Sequence, residues 1–396
     1  MTEGRAGAGN PPQVAIWLLS LAAFGSAAGM RIMDPLMPMV AADFGVTVSN
    51  IAVVVAIFML FYGSGQVATG PLGDRLGKLR VVAVALVLFG LLTLLAEFAT
   101  TVTQLAILRA ASGLVAGAII PLLLAHIGDT VPYADRQAVI GQFLIGNVMA
   151  QLMTGPISGV IGQHFGWQAS YLAFGAFTLA VGVIMASLLG RRMLHAPPAG
   201  PRGQSGLMAY AKILKSPSAR KLMFAAFLDG ALLFGGAFPF IASYLIEDFS
   251  LSAGEAGLVV AFFGVGAIFY TRLARRMVRR FGERGLLLGG GLGLAAGLAL
   301  TALAPAWGFV LAMQLALGFC FYSFHGVLQA RATEALPEAR GTSVSCFAMS
   351  LFLGQTTGSL VFAGVIATGG YRACFLLSAL GMVVFAVWVR GVSSRS

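Results

Sequence analysis

Charge is scarce in this chain. Only 10% of its 396 residues are Asp, Glu, Lys or Arg, against about a quarter in soluble domains, which excludes an ordinary soluble domain. Cysteine is scarcer still. Cys320, Cys346 and Cys374 all fall in apolar stretches with no metal or redox spacing, so free buried thiols are expected and a disulfide framework is not. Four scattered histidines, His126, His164, His195 and His325, argue against a metal site. No nucleophile elbow, zinc spacing or Walker A loop occurs, which argues against direct ATP drive and gives no reason to expect an enzyme or a cofactor. The glycine-rich GGGLGLAAG lies in an apolar helix, where glycines serve close packing. Residues 1–13 lack the basic region and cleavage site of a secretory signal, so the first apolar run is expected to stay attached.

Apolar runs are what the chain has in abundance: it is 58% hydrophobic, with a mean hydropathy of +0.90. A helix needs about 20 apolar residues to cross a bilayer. Twelve such stretches can be cut, near 14–38, 50–70, 79–98, 104–126, 137–160, 169–190, 219–245, 254–274, 285–304, 308–330, 342–366 and 371–390. An all-α membrane protein of twelve transmembrane helices is expected. The net charge of +11 is a topology signal, with no nucleic acid implied. With an inside N-terminus, the inner loops hold Arg75, Lys78 and Arg80, Arg136, the run from Arg191 to Lys221, the cluster Arg272 to Arg284, Arg331 and Arg340. The outer loops hold Arg372 with Asp43, Glu97, Glu247, Asp248 and Glu255. The positive-inside rule then puts both termini in the cytoplasm.

The longest polar interruption, Arg191–Lys221, divides the spans six and six, giving bundles at 1–190 and 219–396 joined by a cytoplasmic linker at 191–218. The halves align on each other. Asp43-Phe44 matches Asp248-Phe249, VVAIF at 54–58 matches VVAFF at 259–263, and Gly77 and Gly113 meet Gly282 and Gly318, all at a shift of 205. After one deletion, GWQASYL at 166–172 meets GYRACFL at 370–376 at a shift of 204. This is a tandem duplication of a six-helix unit. In membranes that plan favours alternating access around a midplane site.

Between spans two and three, GPLGDRLGKLR forms a glycine-rich turn with basic anchors. It resembles motif A of the major facilitator superfamily at Gly70, Leu72, Gly73, Asp74, Arg75, Gly77 and Lys78, followed by Arg80. The resemblance implies that Asp74 touches the other half and helps hold an outward-open state. The second copy, RRFGERG, has Arg279 in place of the acid, so that role does not carry over. RAASGLVAG, with Arg109 and Gly113, is similar to motif B. GNVMAQLMTGPISGV looks like motif C of proton-coupled drug antiporters at Gly146, Gly155, Pro156 and Gly159, with Val160 where a second glycine is common. Read from the residues alone, it is a bent helix with a close-packing seam. The family resemblance, nearest to bacterial 12-span drug:proton antiporters and arabinose-efflux-permease-like exporters, implies the major facilitator fold and transport.

Within GMRIMDPLMP, Arg31 and Asp34 are i and i+3 neighbours. Charges inside a membrane are costly and face protein or a wet cavity. At ~1.5 Å per residue, Asp34 lies roughly 10 Å outward of the midplane, and Arg109 falls at similar depth, so the three groups can meet. They form either a permanent brace between helices one and four or a proton site. In the second reading Asp34 carries the proton, Arg109 sets its affinity and Arg31 modulates or gates. Asp229, without an arginine nearby in sequence, reads as a second proton site, a contact for a cationic substrate, or a neutral carboxyl bonded to a neighbouring helix. Polar stripes at helical spacing place Asn147 and Gln151 on span five and Tyr322 and His325 on span ten at a cavity that also takes Tyr62, Gln66 and Phe234. A lone histidine is also often a packing residue. Phenylalanines concentrated around span seven suit a lipophilic or aromatic substrate.

These features favour export of small lipophilic or drug-like molecules by proton antiport across the inner (plasma) membrane, by a monomer. Symport of a sugar or other metabolite keeps the same fold. A non-transporting receptor would have little use for motif A or buried charges.

Overall fold

The computed structural model describes residues 16–131, 133–189, 212–213, 215–335 and 340–391. Most of the 191–218 linker lies outside these residues, as do Gly70 and Asp74 of the glycine-rich turn beyond their backbone. Every described element is helical. That follows from composition, because without water each backbone N–H must find its acceptor within its own segment. In chain order they are α1 (Ile16–Arg31), α2 (Met37–Asp43), α3 (Val48–Leu76), α4 (Lys78–Leu95), α5 (Val102–Ala116), α6 (Ile119–Thr130), α7 (Tyr133–Phe165), α8 (Trp167–Leu189) and α9 (Pro217–Asp229). There follow α10 (Ile241–Phe249), α11 (Ala253–Ala302), α12 (Trp307–Glu334) and α13 (Arg340–Val389).

Among the described residues, ten helical stretches are long and apolar enough to cross a membrane. Two of them, Ala253–Ala302 and Thr342–Val389, are too long for one crossing, since the hydrocarbon core takes about 20 residues. Each is interrupted by a glycine at positive φ: Gly282 (φ 63°, ψ 173°) in α11 and Gly370 (φ 73°, ψ −179°) in α13. Side chains with a Cβ are disfavoured there.

The duplication is written into the backbone. Six described residues have positive φ, and they form three pairs: Gly45 with Ser250, Gly77 with Gly282, and Gly166 with Gly370. Two capping boxes repeat as well, Thr47 with Asn50 before α3 and Ser252 with Glu255 before α11. So do two proline-bearing 3-10 turns, Asp34–Leu36 and Phe238–Phe240. Pro35 and Pro239 lack the N–H that would continue a helix. Each turn therefore breaks its span at the same place in its own half.

The turns at 43–48, 165–167 and 249–253 mark one end of the molecule, with Asp43, Glu247, Asp248 and Glu255; this is the acidic end. The other end carries Arg75, Lys78 and the arginines of 272–284. Packing differs between them. At the acidic end one buried apolar cluster joins Met33, Leu36 and Ile51 to Phe238, Ile241 and Val259. At the basic end Leu18, Val82, Leu122 and Met185 belong to a second cluster whose buried members all come from residues 18–189. Among the described residues the cluster that joins the halves does so at the acidic end, while the basic-end cluster is met from the other half by Phe352.

Candidate functional site

Arg31 ends α1 because Pro35 stops the helix, and the resulting turn sets Arg31 beside Asp34, with Nη1 3.4 Å from Oδ2. Both are buried, at 7% and 4% exposure. The Arg31 Nε donates to Gln151 Oε1 on α7 at 3.0 Å. The guanidinium lies 4.5 Å from the ring centre of Phe234 and 4.6 Å from that of Phe238, contacts worth up to about 2 kcal/mol when desolvated. Asp34 is held less firmly. Its one hydrogen bond is long, and Oδ1 is buried with no partner among the described residues. A narrow cleft between the halves is lined by Arg31, Asp34 and Gln151 on one side and by Phe238, Gly257 and Val260 on the other. One cation, one under-bonded carboxylate and aromatic faces thus meet where the halves touch.

The arrangement of Arg109 differs from the sequence expectation. It is buried, but its Nη2 donates to the Gly29 carbonyl at 2.7 Å and its guanidinium stacks 3.7 Å over Phe58. Among the described residues no ion pair joins it to Asp34 within 4.0 Å. The last carbonyls of a helix lack intrahelical donors and carry the negative end of its dipole, so the end of α1 takes the Nη2 donor of Arg109. It braces α1 against α5.

Asp229 is fully buried, and it has a partner that sequence spacing did not suggest: Oδ2 is 2.6 Å from Nδ1 of His325 on α12. His325 also stacks on Phe321, with centroids 4.8 Å apart. Other expected cavity residues scatter. Tyr62 is buried, its hydroxyl 3.2 Å from Ser26 Oγ and its ring against Phe58 and Phe352. Gln66, Asn147 and Tyr322 are half-buried, and Tyr322 packs on Phe321 and Phe263. Phe238, which sequence reasoning did not single out from its neighbours, covers Arg31.

The glycine motif on α7 forms the seam between halves. A Cβ on Gly159 would run into the Ala253 carbonyl and one on Gly257 into that of Gly155, while one on Gly155 would find ordinary contact. Gly146 lies against the Ser20 carbonyl of α1. Pro156 sits inside α7, which continues through it. In the turn after α3, Gly77 takes φ 90°, Arg75 is exposed and Arg80 half-buried. Lys78 pairs with Asp129 at the end of α6. Two contacts that the sequence did not disclose close the ends of the halves: Trp167 Nε1 donates to Asp43 at 2.8 Å, and buried Arg331 donates to Glu283 at 3.0 Å. The three cysteines are free.

Comparison with known proteins places this geometry. The family model of the Major Facilitator Superfamily matches residues 19–238 and 222–395. The uncharacterized MFS-type transporter YwfA of Bacillus subtilis is 25% identical over 92% of this chain and 90% of its own length. The gallate transporter of Pseudomonas putida is 27% identical over 90% and 86%. The crystal structure of a bacterial homologue of the human lysosomal transporter Spinster, inward-facing and unoccupied, superposes with a TM-score of 0.75 at 17% identity, covering 94% of each chain. A helical chain matched along nearly its whole length, with the buried Arg31–Asp34 pair between duplicated halves, is a multi-pass membrane transporter rather than an enzyme, and it belongs to the Major Facilitator Superfamily.

Proposed function

We propose that this transporter is a proton-coupled exporter of small lipophilic or aromatic molecules that works by alternating access. One observation carries the reading: Arg31 and Asp34 are buried and Gln151 half-buried between the halves, with Phe234 and Phe238 over the guanidinium. Counting each broken stretch as two spans gives twelve helices, six in 1–190 and six in 219–396, with 191–218 as the cytoplasmic linker. The basic end then faces the cytoplasm of the plasma membrane, where lysine and arginine accumulate. The core that joins the halves at the acidic end supports reading this arrangement as closed to the outside. Once the acidic end has opened, Asp34 takes a proton from outside, loosens its hold on Arg31, and the substrate is released. On the inward return it gives the proton up. The chain acts as a monomer.

The antiport direction rests on the resemblance of the α7 glycines to motif C and on their place in the seam. A second reading, inward symport of an aromatic acid, is favoured by Arg31 itself, because a guanidinium between phenylalanine faces suits a planar carboxylate, and by the likeness to a gallate transporter.

Everted vesicles with an imposed proton gradient decide between them. Lipophilic cations, neutral antimicrobials, benzoate-type acids and sugars are offered singly. Export predicts uptake into acid-loaded everted vesicles with proton release, absent in Asp34→Asn. Benzoate leaving with protons would install the second reading. Undiminished gradient-driven movement in Asp34→Asn would remove Asp34 from the coupling.

A further inference from the structure

We infer that Asp229 and His325 form a second proton-binding site, a carboxylate–imidazole dyad within the 219–391 half, separate from the Arg31–Asp34 cluster. The geometry is that of a shared proton: Nδ1 and Oδ2 stand 2.6 Å apart, on helices α12 and α9, with Asp229 fully buried and His325 nearly so. The second oxygen of Asp229 is buried with no partner among the described residues. The pair is therefore the main polar contact each group has.

Other charges do not fix the dyad. The elements packed on α9 are α12, α13 and the following π-helical turn Gly230–Ala237. Of these, α12 brings Cys320, Tyr322, Arg331 and Glu334, α13 brings Arg340, Cys346, Tyr371, Arg372 and Cys374, and the π turn brings no titratable group; α11, packed on α12, brings Glu255, Tyr270, Glu283 and the arginines of 272–284. Arg331 is engaged with Glu283. On α9 itself, Arg220 and Lys221 lie at the helix start, more than two turns from Asp229. Among the described residues no other ion pair within 4.0 Å involves Asp229 or His325. A carboxylate with a neutral imidazole carries one negative charge. One added proton makes the pair neutral, whichever atom holds it, and no other group need change. A charge left alone at this depth costs roughly 3 kcal/mol on insertion scales, so the dyad is built to take up and release a proton as its surroundings become dry or wet.

Its position gives the proton leverage. Asp229 is the last α-helical residue before the eight-residue π turn, and π turns mark functional sites in helices. That turn carries Phe234, and Phe238 follows it; these are the two rings over Arg31. His325 stacks on Phe321, whose ring meets Phe234 edge-on at 4.7 Å. The dyad thus touches the cover of the Arg31 site from below without belonging to it.

The test reads protons directly and needs no substrate, so it stands or falls apart from the transport reading. Infrared difference spectra are taken between about pH 5 and 8, where histidine sites titrate, on the full chain in lipid nanodiscs, for wild type, Asp229→Asn, His325→Gln and Asp34→Asn. The dyad predicts an aspartate band and an imidazole band moving together in wild type and in Asp34→Asn. Asp229→Asn removes the aspartate component and displaces the imidazole midpoint; His325→Gln does the reverse. Superimposable spectra of wild type and Asp229→Asn would overturn the proposal. Should Asp229→Asn not fold, His325→Gln decides, because an aspartate band unmoved by that change has no imidazole partner.

Discussion

At the scale of single residues, the question is why Asp34 should be the group that moves a proton while Arg31 stays charged. Arg31 has three kinds of partner: a carboxylate, an amide oxygen and two ring faces. Asp34 has one long contact and a bare oxygen. Neutralising Asp34 therefore costs the structure little, whereas removing Arg31 strips the cleft. Asp34→Asn is expected to abolish gradient-driven transport yet keep substrate exchange at equal pH on both sides, where no net proton moves. Loss of exchange as well would make Asp34 a brace. Arg31→Lys keeps the charge but loses the planar fork and the stacking. Apparent substrate affinity should fall about tenfold, or ~1.4 kcal/mol, in equilibrium binding with protein yield unchanged. The Arg31–Asp34 pair was legible in the sequence because charges are rare and these two are three residues apart. The Asp229–His325 pair was not, and the cause is a boundary. Span ten was read as ending near 330, yet α12 runs to Glu334 while α9 starts at Pro217. That shift brings the two groups to matching depth.

At the scale of elements, helix breaks and helix seams do different work. The glycine turns at Gly77 and Gly282 and at Gly166 and Gly370 were visible beforehand as paired positions in the repeat, because residue chemistry imposes them, whereas the breaks at Pro35 and Pro239 stand one residue out of that register and were paired by the structure. The π turn was not, since GALLFGGA reads as any apolar helix; packing against α13 imposes it, with Gly230 and Gly235 against the carbonyls of Leu351 and Gln355. The α7–α11 seam offers a sharper test. Gly155 and Gly159 are one turn apart on one helix, but only Gly159 would drive a Cβ into backbone of the other half. Gly159→Ala should therefore cost the closed seam about 1–3 kcal/mol, the usual range for overpacking, and shift the population toward an acidic end that is open. Gly155→Ala should leave it nearly unchanged. Labelling of a reporter cysteine at Phe238 by a membrane-impermeant reagent from the acidic side reads this out. Faster labelling is expected in the first variant only, and equal rates in both would mean that the seam does not hold the end shut.

At the scale of the whole molecule, the uneven core makes a claim about state. Among the described residues the two bundles share buried apolar side chains at the acidic end, while the basic-end cluster is met from the other half by Phe352, so the acidic face is the one that is sealed. Because packed interfaces are bistable rather than continuously deformable, transport requires this seal to break as a unit. Val160 and Gly254 face each other across it, and a Cβ on Gly254 would come within 3.5 Å of the Val160 backbone. In a background with Cys320, Cys346 and Cys374 replaced by alanine, the pair Val160→Cys and Gly254→Cys should crosslink under mild oxidant in the resting protein. The crosslink should stop net transport, and a reducing agent should restore it. Either single cysteine should transport and form no intramolecular bridge. Transport that persists in fully crosslinked protein would mean that the halves do not separate at the acidic end, and that substrate leaves by a path this seam does not control.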